Sequence, residues 1–271
     1  MQIKYFPVNS KNSYVIFQDN DKIEELEPFM KENKLSRVIF SGFLGYSKSV
    51  LPFNEDIDLI EEISIQCLNI TDLTSLYHLS NIKKISIEEN AALAHPFDIR
   101  KIAKLTDFFT DDTLKIDGFF DHPTLKQLHI EPKKTKKLDI HNENNILESL
   151  SIANSHILDL SNCKKLTQLK GLYIAYLPKI EDINFILDMP TLTDIEICSC
   201  KKIDNLIATL AQKNNLEKLT LWNQGNLDSM IPLSKLEHLI TLNIWEQTKI
   251  IDGKISFLEE MPNLKKIDIR K

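Results

Sequence analysis

A six-residue phrase, apolar-x-x-apolar-x-apolar, recurs along this chain and constrains its fold more than any other feature. It reads Leu35/Val38/Phe40, Ile60/Ile63/Ile65, Ile82/Ile85/Ile87, Leu105/Phe108/Thr110 and Leu125/Leu128/Ile130, then more regularly Leu147/Leu150/Ile152, Leu169/Leu172/Ile174, Leu192/Ile195/Ile197, Leu216/Leu219/Leu221, Leu239/Leu242/Ile244 and Leu264/Ile267/Ile269. First positions step by 25, 22, 23, 20, 22, 22, 23, 24, 23 and 25 residues. A step that short cannot close a core by itself, so each step is one coil of an array that buries its apolar row against its neighbours. Alternation at the last two apolar positions predicts a short strand with those side chains inward and the residues between and beside them on the opposite face. At 271 residues, 42% hydrophobic and 27% charged, the chain is long enough for such a core and lacks the composition of a disordered protein.

The segments between strands also repeat: Asn69-Ile70-Thr71-Asp72-Leu73, Lys179-Ile180-Glu181-Asp182-Ile183, Lys202-Ile203-Asp204-Asn205-Leu206 and Asn226-Leu227-Asp228-Ser229-Met230. An Asp at this place can cap a following helical turn. Together with the phrase, the run from Ile180 through Asp182, Ile183, Ile186, Met189 and Pro190 to Leu192 resembles the roughly 22-residue repeats of internalin-like bacterial leucine-rich-repeat proteins, over about residues 35 to 271. The resemblance implies an α/β solenoid. Its form would be a horseshoe with a parallel concave sheet of about ten strands, partly β on the convex side. Residues 35–271 are expected to form the solenoid and residues 1–34 a small α+β cap. Within that cap Met1–Val8 and Tyr14–Gln18 read as strands and Ile23–Glu32 as an amphipathic helix through Ile23, Leu26 and Met30.

The family places a buried Asn or Cys three residues after each strand's last apolar residue. Here it occurs only at Asn90 and Cys200, while Leu68, Lys133, Ser155, Leu177, Gln224 and Gln247 stand elsewhere, which predicts less regular turns and an irregular curvature. Two extra phrases, Thr135/Leu138/Ile140 and Ser155/Leu158/Leu160, are too closely spaced for full repeats. They are expected as convex-side strands, with the alternative that one is the true concave strand between Leu125 and Leu172. At the far end Lys265, Lys266, Asp268, Arg270 and Lys271 place charge around the last strand, which disfavours edge-to-edge pairing and favours a monomer.

Projecting the phrase gives the outward residues. Toward the C-terminus they are Ser149/Ser151/Ala153, Gly171/Tyr173/Ala175, Asp194/Glu196/Cys198, Lys218/Thr220/Trp222, Thr241/Asn243/Trp245 and Lys266/Asp268/Arg270; earlier strands contribute Asp107/Phe109/Asp111 and Gln127/His129/Glu131. Trp222 and Trp245 fall in one column, and Phe109 and Tyr173 also face outward. Solvent-facing aromatics of this kind anchor protein interfaces, or else steady the sheet by cross-strand stacking. Ser149, Ser151, Ala153, Gly171 and Ala175 predict a shallow depression rimmed by Asp107, Asp111, Glu131, Asp194 and Glu196, a frame suited to a basic protein. The candidate partner-binding residues are therefore Phe109, Tyr173, Asp194, Glu196, Trp222, Asn243 and Trp245.

Other chemistries find no support. A net charge of −6 disfavours nucleic acid, and the basic stretch Lys133, Lys134, Lys136 and Lys137 reads as a solvated turn. Neither a phosphate-cradling glycine loop nor a hydrolase or zinc motif is present, so no cofactor, metal or enzymatic activity is expected. Cys198 and Cys200 are expected to diverge, outward and inward, and Cys67 and Cys163 lie far from both. The seven histidines are scattered and read as surface or turn residues, and Asp194 with Glu196 reads as a binding rim rather than a catalytic pair. No leader or membrane-spanning run is evident, which points to a cytoplasmic protein with no membrane partner. The expected function is non-catalytic protein binding, extending to a cytoplasmic immunity protein that neutralises a basic toxin domain. The alternative is a scaffolding repeat protein or an adaptor in a larger assembly.

Overall fold

The computed structural model describes residues 1–4, 13–88, 93–111, 113, 115–141 and 146–270. They form two compact units, Met1–Ile130 and Glu131–Lys271.

In the first unit β1 (Gln2–Lys4) runs antiparallel to β2 (Tyr14–Phe17). From β2 onward every pairing in the main sheet is parallel, through β3 (Arg37–Ser41), β4 (Glu62–Gln66) and β5 (Lys84–Glu88) to β7 (Asp107–Thr110) and β9 (Gln127–Ile130). Between the last three, β6 (Phe97–Asp98) and β8 (Ile116–Asp117) pair as a second, short parallel ribbon. The phrase residues Val38, Phe40, Ile63, Ile65, Ile85, Ile87, Phe108, Leu128 and Ile130 are all buried. Burying one such side chain stabilises the fold by roughly 1.5–3 kcal/mol, so the repeated row is the main cohesive term. Where the helix was expected, a 3-10 turn at Ile23–Glu25 leads into α1 (Leu26–Asn33), which buries Leu26 and Met30 and stops at Lys34 in left-handed conformation. The expected strand over Met1–Val8 falls partly on residues 5–8, outside the described residues.

The second unit carries β10 (Ser149–Ala153), β11 (Gly171–Ala175), β12 (Asp194–Cys198), β13 (Lys218–Trp222), β15 (Thr241–Trp245) and β17 (Lys266–Ile269), again all parallel. A far-side ribbon pairs β14 (Gly225–Leu227) with β16 (Thr248–Ile250). β10 meets β11 as Leu150 opposite Leu172 and Ile152 opposite Ile174, which makes Leu147/Leu150/Ile152 the repeat phrase here. Of the two extra phrases only a single parallel bridge forms, Lys137 with Asp159. Lys137 Nζ reaches the Asp159 carboxylate at 2.5 Å and holds its pKa down at about 2.

Single helical turns close most coils, as the acidic residues in the connecting segments suggest. Asp72 and Asp182 accept hydrogen bonds from the backbone N–H of Thr74 and Asn184 at the start of 3-10 turns. The Asp204–Asn205 coil differs: it forms a short α-helix, α2 (Leu206–Leu210), entered through Asn205 in left-handed conformation.

At Cys200 and at two of the positions that depart from the family pattern, Ser155 and Gln224, the side chain still reaches neighbouring backbone. Ser155 Oγ donates to Pro132 O and accepts from Ile157 N–H; Gln224 Nε2 donates to Ile197 O and Trp222 O; Cys200 Sγ lies 3.3 Å from Cys198 O. Three different side chains thus satisfy the neighbouring backbone that the family's Asn would serve. Asn90, the other family-like position, lies outside the described residues. Of the histidines read as surface or turn residues, His122 lies in the turn region after β8 and is buried. Its Nε2 donates to Ile99 O and Ile102 O at 3.0 and 3.1 Å, and Nδ1 accepts from Thr124 N–H, an arrangement that keeps the ring neutral. Burial accordingly lowers its pKa.

Candidate partner-binding face

On the first unit Phe109 and His129 occupy opposed positions of β7 and β9 and stack with ring centroids 4.2 Å apart at 7°. Charges on this face are matched within it. Arg37 Nε pairs with Glu62 at 3.0 Å and Tyr14 donates to the same carboxylate; Lys84 pairs with Asp107 at 3.4 Å; Glu88 accepts from Ser86 and Gln66.

On the second unit the parallel register aligns three columns. Ser149, Gly171, Asp194, Lys218, Thr241 and Lys266 form one, Ser151, Tyr173, Glu196, Thr220, Asn243 and Asp268 the middle one, and Ala153, Ala175, Cys198, Trp222 and Trp245 the third. The projected triplets therefore do share a face. Trp222 and Trp245 are half-buried neighbours whose rings meet edge-on, centroids 6.2 Å apart at 81°. Arg270 lies over the Trp245 ring at 5.5 Å and is held by Asp268 through Nε at 2.9 Å and Nη2 at 2.5 Å.

Three expectations change. The small-residue depression is filled at its third-column end, where Ala153, Ala175 and Cys198 are buried with Tyr173 and Trp222 packed against them. Cys198 belongs to the outward face but is covered there, while Cys200 turns into the coil, where burial pushes its thiol up to about 12. Asn243 is 3% exposed and donates through Nδ2 to Thr220 Oγ1 at 3.0 Å, so it forms floor rather than contact edge. All four cysteines are free and buried, and among the described residues no group of three or more His, Cys, Asp or Glu is placed to hold a metal.

The acids separate into settled and unsettled ones. Asp194 is bridged by Lys218 at 2.9 Å, and Glu131 accepts from Asn154 at 2.5 Å. Glu196, half-buried between Tyr173 and Thr220 in the middle column, has neither hydrogen bond nor ion pair among the described residues, and burial raises its pKa against the opposing pull of Lys218. Nearby, Trp222 Nε1 and Asn243 Oδ1 are buried and also lack a partner. Burial likewise pushes the Tyr173 hydroxyl up to about 12, with Cys198 and Glu196 adding to the effect.

Tyr176 is missing from the face that the sequence pattern predicts. It follows β11 directly in left-handed conformation, half exposed, with Cys198 and Ser199 beside its hydroxyl. Its one signal is its place just past a strand, a position that reads as turn rather than face.

A leucine-rich-repeat protein of Leptospira interrogans superposes with TM-score 0.56 at 13% identity, over 93% of this chain and 63% of that one. The chain has the leucine-rich-repeat solenoid fold. TLR13, solved in complex with ssRNA13, also matches this solenoid, at TM-score 0.51 and 14% identity over 87% of this chain and 40% of that one. An internalin, InlF, of Listeria monocytogenes matches at TM-score 0.49 and 14% identity, over 79% of this chain and 69% of its own. No family model and no curated protein sequence matches the solenoid. Among its described residues no helix is long and apolar enough to cross a membrane.

Proposed function

We propose that this solenoid is a non-catalytic module that binds a partner protein through the outward sheet face of residues 149–270. The observation that carries the reading is the aromatic ladder of Trp222 and Trp245, half-buried in register on neighbouring strands, with Tyr173 two strands earlier in the middle column and unpaired polar atoms among them. Aromatics with few rotors and unmet hydrogen-bonding groups are what an interface desolvates and satisfies. Residues 1–34 act as the cap and 35–271 as the binding solenoid. The narrower form of the proposal is a bacterial, cytoplasmic, monomeric immunity protein that occludes the surface of a basic toxin domain. Acidic net charge and the unpaired Glu196 support it.

The test is a dissociation constant for a purified, co-isolated partner protein. Trp222→Ala and Trp245→Ala each weaken binding by about 2 kcal/mol, near thirtyfold, whereas Phe109→Ala in the self-stacked pair changes it less than about threefold. Trp variants that bind normally but melt at lower temperature return the ladder to a scaffolding role.

A further inference from the structure

The last coil shows how this face holds a cation. Asp268 of the middle column grips the Arg270 guanidinium, which spreads over Trp245 of the third column on the neighbouring strand. Acid and indole on adjacent strands thus form a two-sided seat, the carboxylate taking the N–H groups and the ring taking the cationic plane.

An acid and an indole on adjacent strands recur nearer the middle of the face, with the strand order reversed. Glu196 stands in the middle column, Trp222 in the third column on the next strand, and Tyr173 directly opposite Glu196 on the preceding one. Among the described residues no cation fills this seat. Lys218, whose charge acts on Glu196, is committed to Asp194 Oδ2 at 2.9 Å. Two strands from Glu196 in the same column, the 97%-buried Asn243 turns its Nδ2 to Thr220 and leaves Oδ1 as an unpaired acceptor. A carboxylate taken half out of water is costly unless an opposite charge arrives.

We propose that Glu196, flanked by Tyr173 and Trp222 and with Asn243 in the same column, is the seat for an arginine side chain presented by the partner protein. Arginine fits better than lysine because its planar guanidinium can donate to a carboxylate through two parallel bonds while stacking on an aromatic face, which a compact ammonium cannot. This inference rests on the reading of the face as a protein-binding surface and specifies what that surface recognises.

The test uses the full chain, labelled with ¹⁵N, and the probe peptide acetyl-Gly-Arg-Gly-amide. Titration should shift the Trp222 indole N–H resonance and saturate at millimolar concentration. The isosteric neutral peptide with citrulline in place of arginine should leave it unmoved, and the lysine peptide should bind several-fold more weakly. Glu196→Gln should weaken the arginine peptide about tenfold, while Glu196→Asp, which keeps the charge, should retain part of the affinity; unchanged resonances of second-unit strands remote from Glu196 certify that both variants are folded. No saturable shift, equal response to citrulline, or full binding by Glu196→Gln would overturn the assignment. With the co-isolated partner in hand, the two levels separate: affinity lost in Trp222→Ala but intact in Glu196→Gln keeps the binding face and removes the arginine seat. Affinity intact in both removes the face itself.

Discussion

The outward faces of the two units are built from the same strand pattern but settle their polar groups differently. On the first unit Glu62 is shared by Arg37 and Tyr14, Asp107 by Lys84 and Thr106, and Phe109 lies flat on His129. On the second unit Glu196, Trp222 Nε1 and Asn243 Oδ1 go unanswered among the described residues. A face whose charges answer one another contributes to folding and offers little to a partner; one with unmet groups forgoes stability for affinity. The contrast teaches that exposure of aromatic residues alone does not mark a binding face. What marks it is the state of the polar atoms around them.

The largest expected effect on stability sets the two carboxylates against each other. Glu62→Gln breaks the ion pair with Arg37 at a partly buried site and should lower the free energy of unfolding by about 1–3 kcal/mol in urea titrations. Glu196→Gln should leave it unchanged or raise it slightly, because it removes a charge that burial disfavours. The sign is consistent with linkage. Glu196 has a raised pKa in the folded chain, so its ionisation costs stability as pH rises through the carboxylate range, and the variant lacks that cost. Equal losses in both variants would dissolve the distinction between the two faces.

The parallel pairings and the columns are legible in the sequence because the inward apolar phrase fixes register: moving a strand by one residue would turn its whole apolar set outward. The repeat pattern alone therefore places Trp222 and Trp245 beside each other. How side chains settle within a column is not legible in the same way. Asn243 and Thr220 look like exposed polar residues in the pattern, yet both are buried and bonded to each other across the strands. The turns are equally opaque. Ser155, Cys200 and Gln224 share no residue type, and only the positions of nearby carbonyls reveal that they perform one task.

His122 gives a smaller effect and probes the first unit, whose interior is expected to be as self-contained as its face. Its folded pKa lies below that of the unfolded chain, so the unfolded chain takes the proton first as pH falls. The stability contributed by the neutral ring is fully present above the unfolded value near 6.5 and declines below it, with a slope of up to about 1.4 kcal/mol per pH unit until the folded ring also titrates. Thermal melts between pH 8 and pH 5.5 should show this decline in the wild type and a flatter profile in His122→Gln. Parallel profiles would mean that burial of the ring does not set its protonation.

The smallest effect bears most directly on the second face. Immediately after successive strands the chain passes through left-handed conformation at Asn154, Tyr176, Ser199, Asn223 and Glu246, and the first four of these N–H groups each continue the ladder to the next strand. Asn tolerates that conformation; Tyr and Glu do so at a cost of the order of 0.5–1 kcal/mol. Glu246→Asn should therefore raise stability by about 0.5 kcal/mol and leave partner affinity unchanged. Tyr176→Asn should raise stability by a similar amount, but because its ring stands half exposed beside Cys198 and the Tyr173–Trp222 cluster, it should also weaken partner binding several-fold. A bulky aromatic retained at Tyr176, where Asn154 and Asn223 relieve the same turn, is the pattern expected where a side chain is kept for contact rather than for folding, and Glu246 is the strained control without an aromatic ring. If Tyr176→Asn stabilises the chain and binding is untouched, Tyr176 is merely an unfavourable turn residue and the binding face ends at the strands.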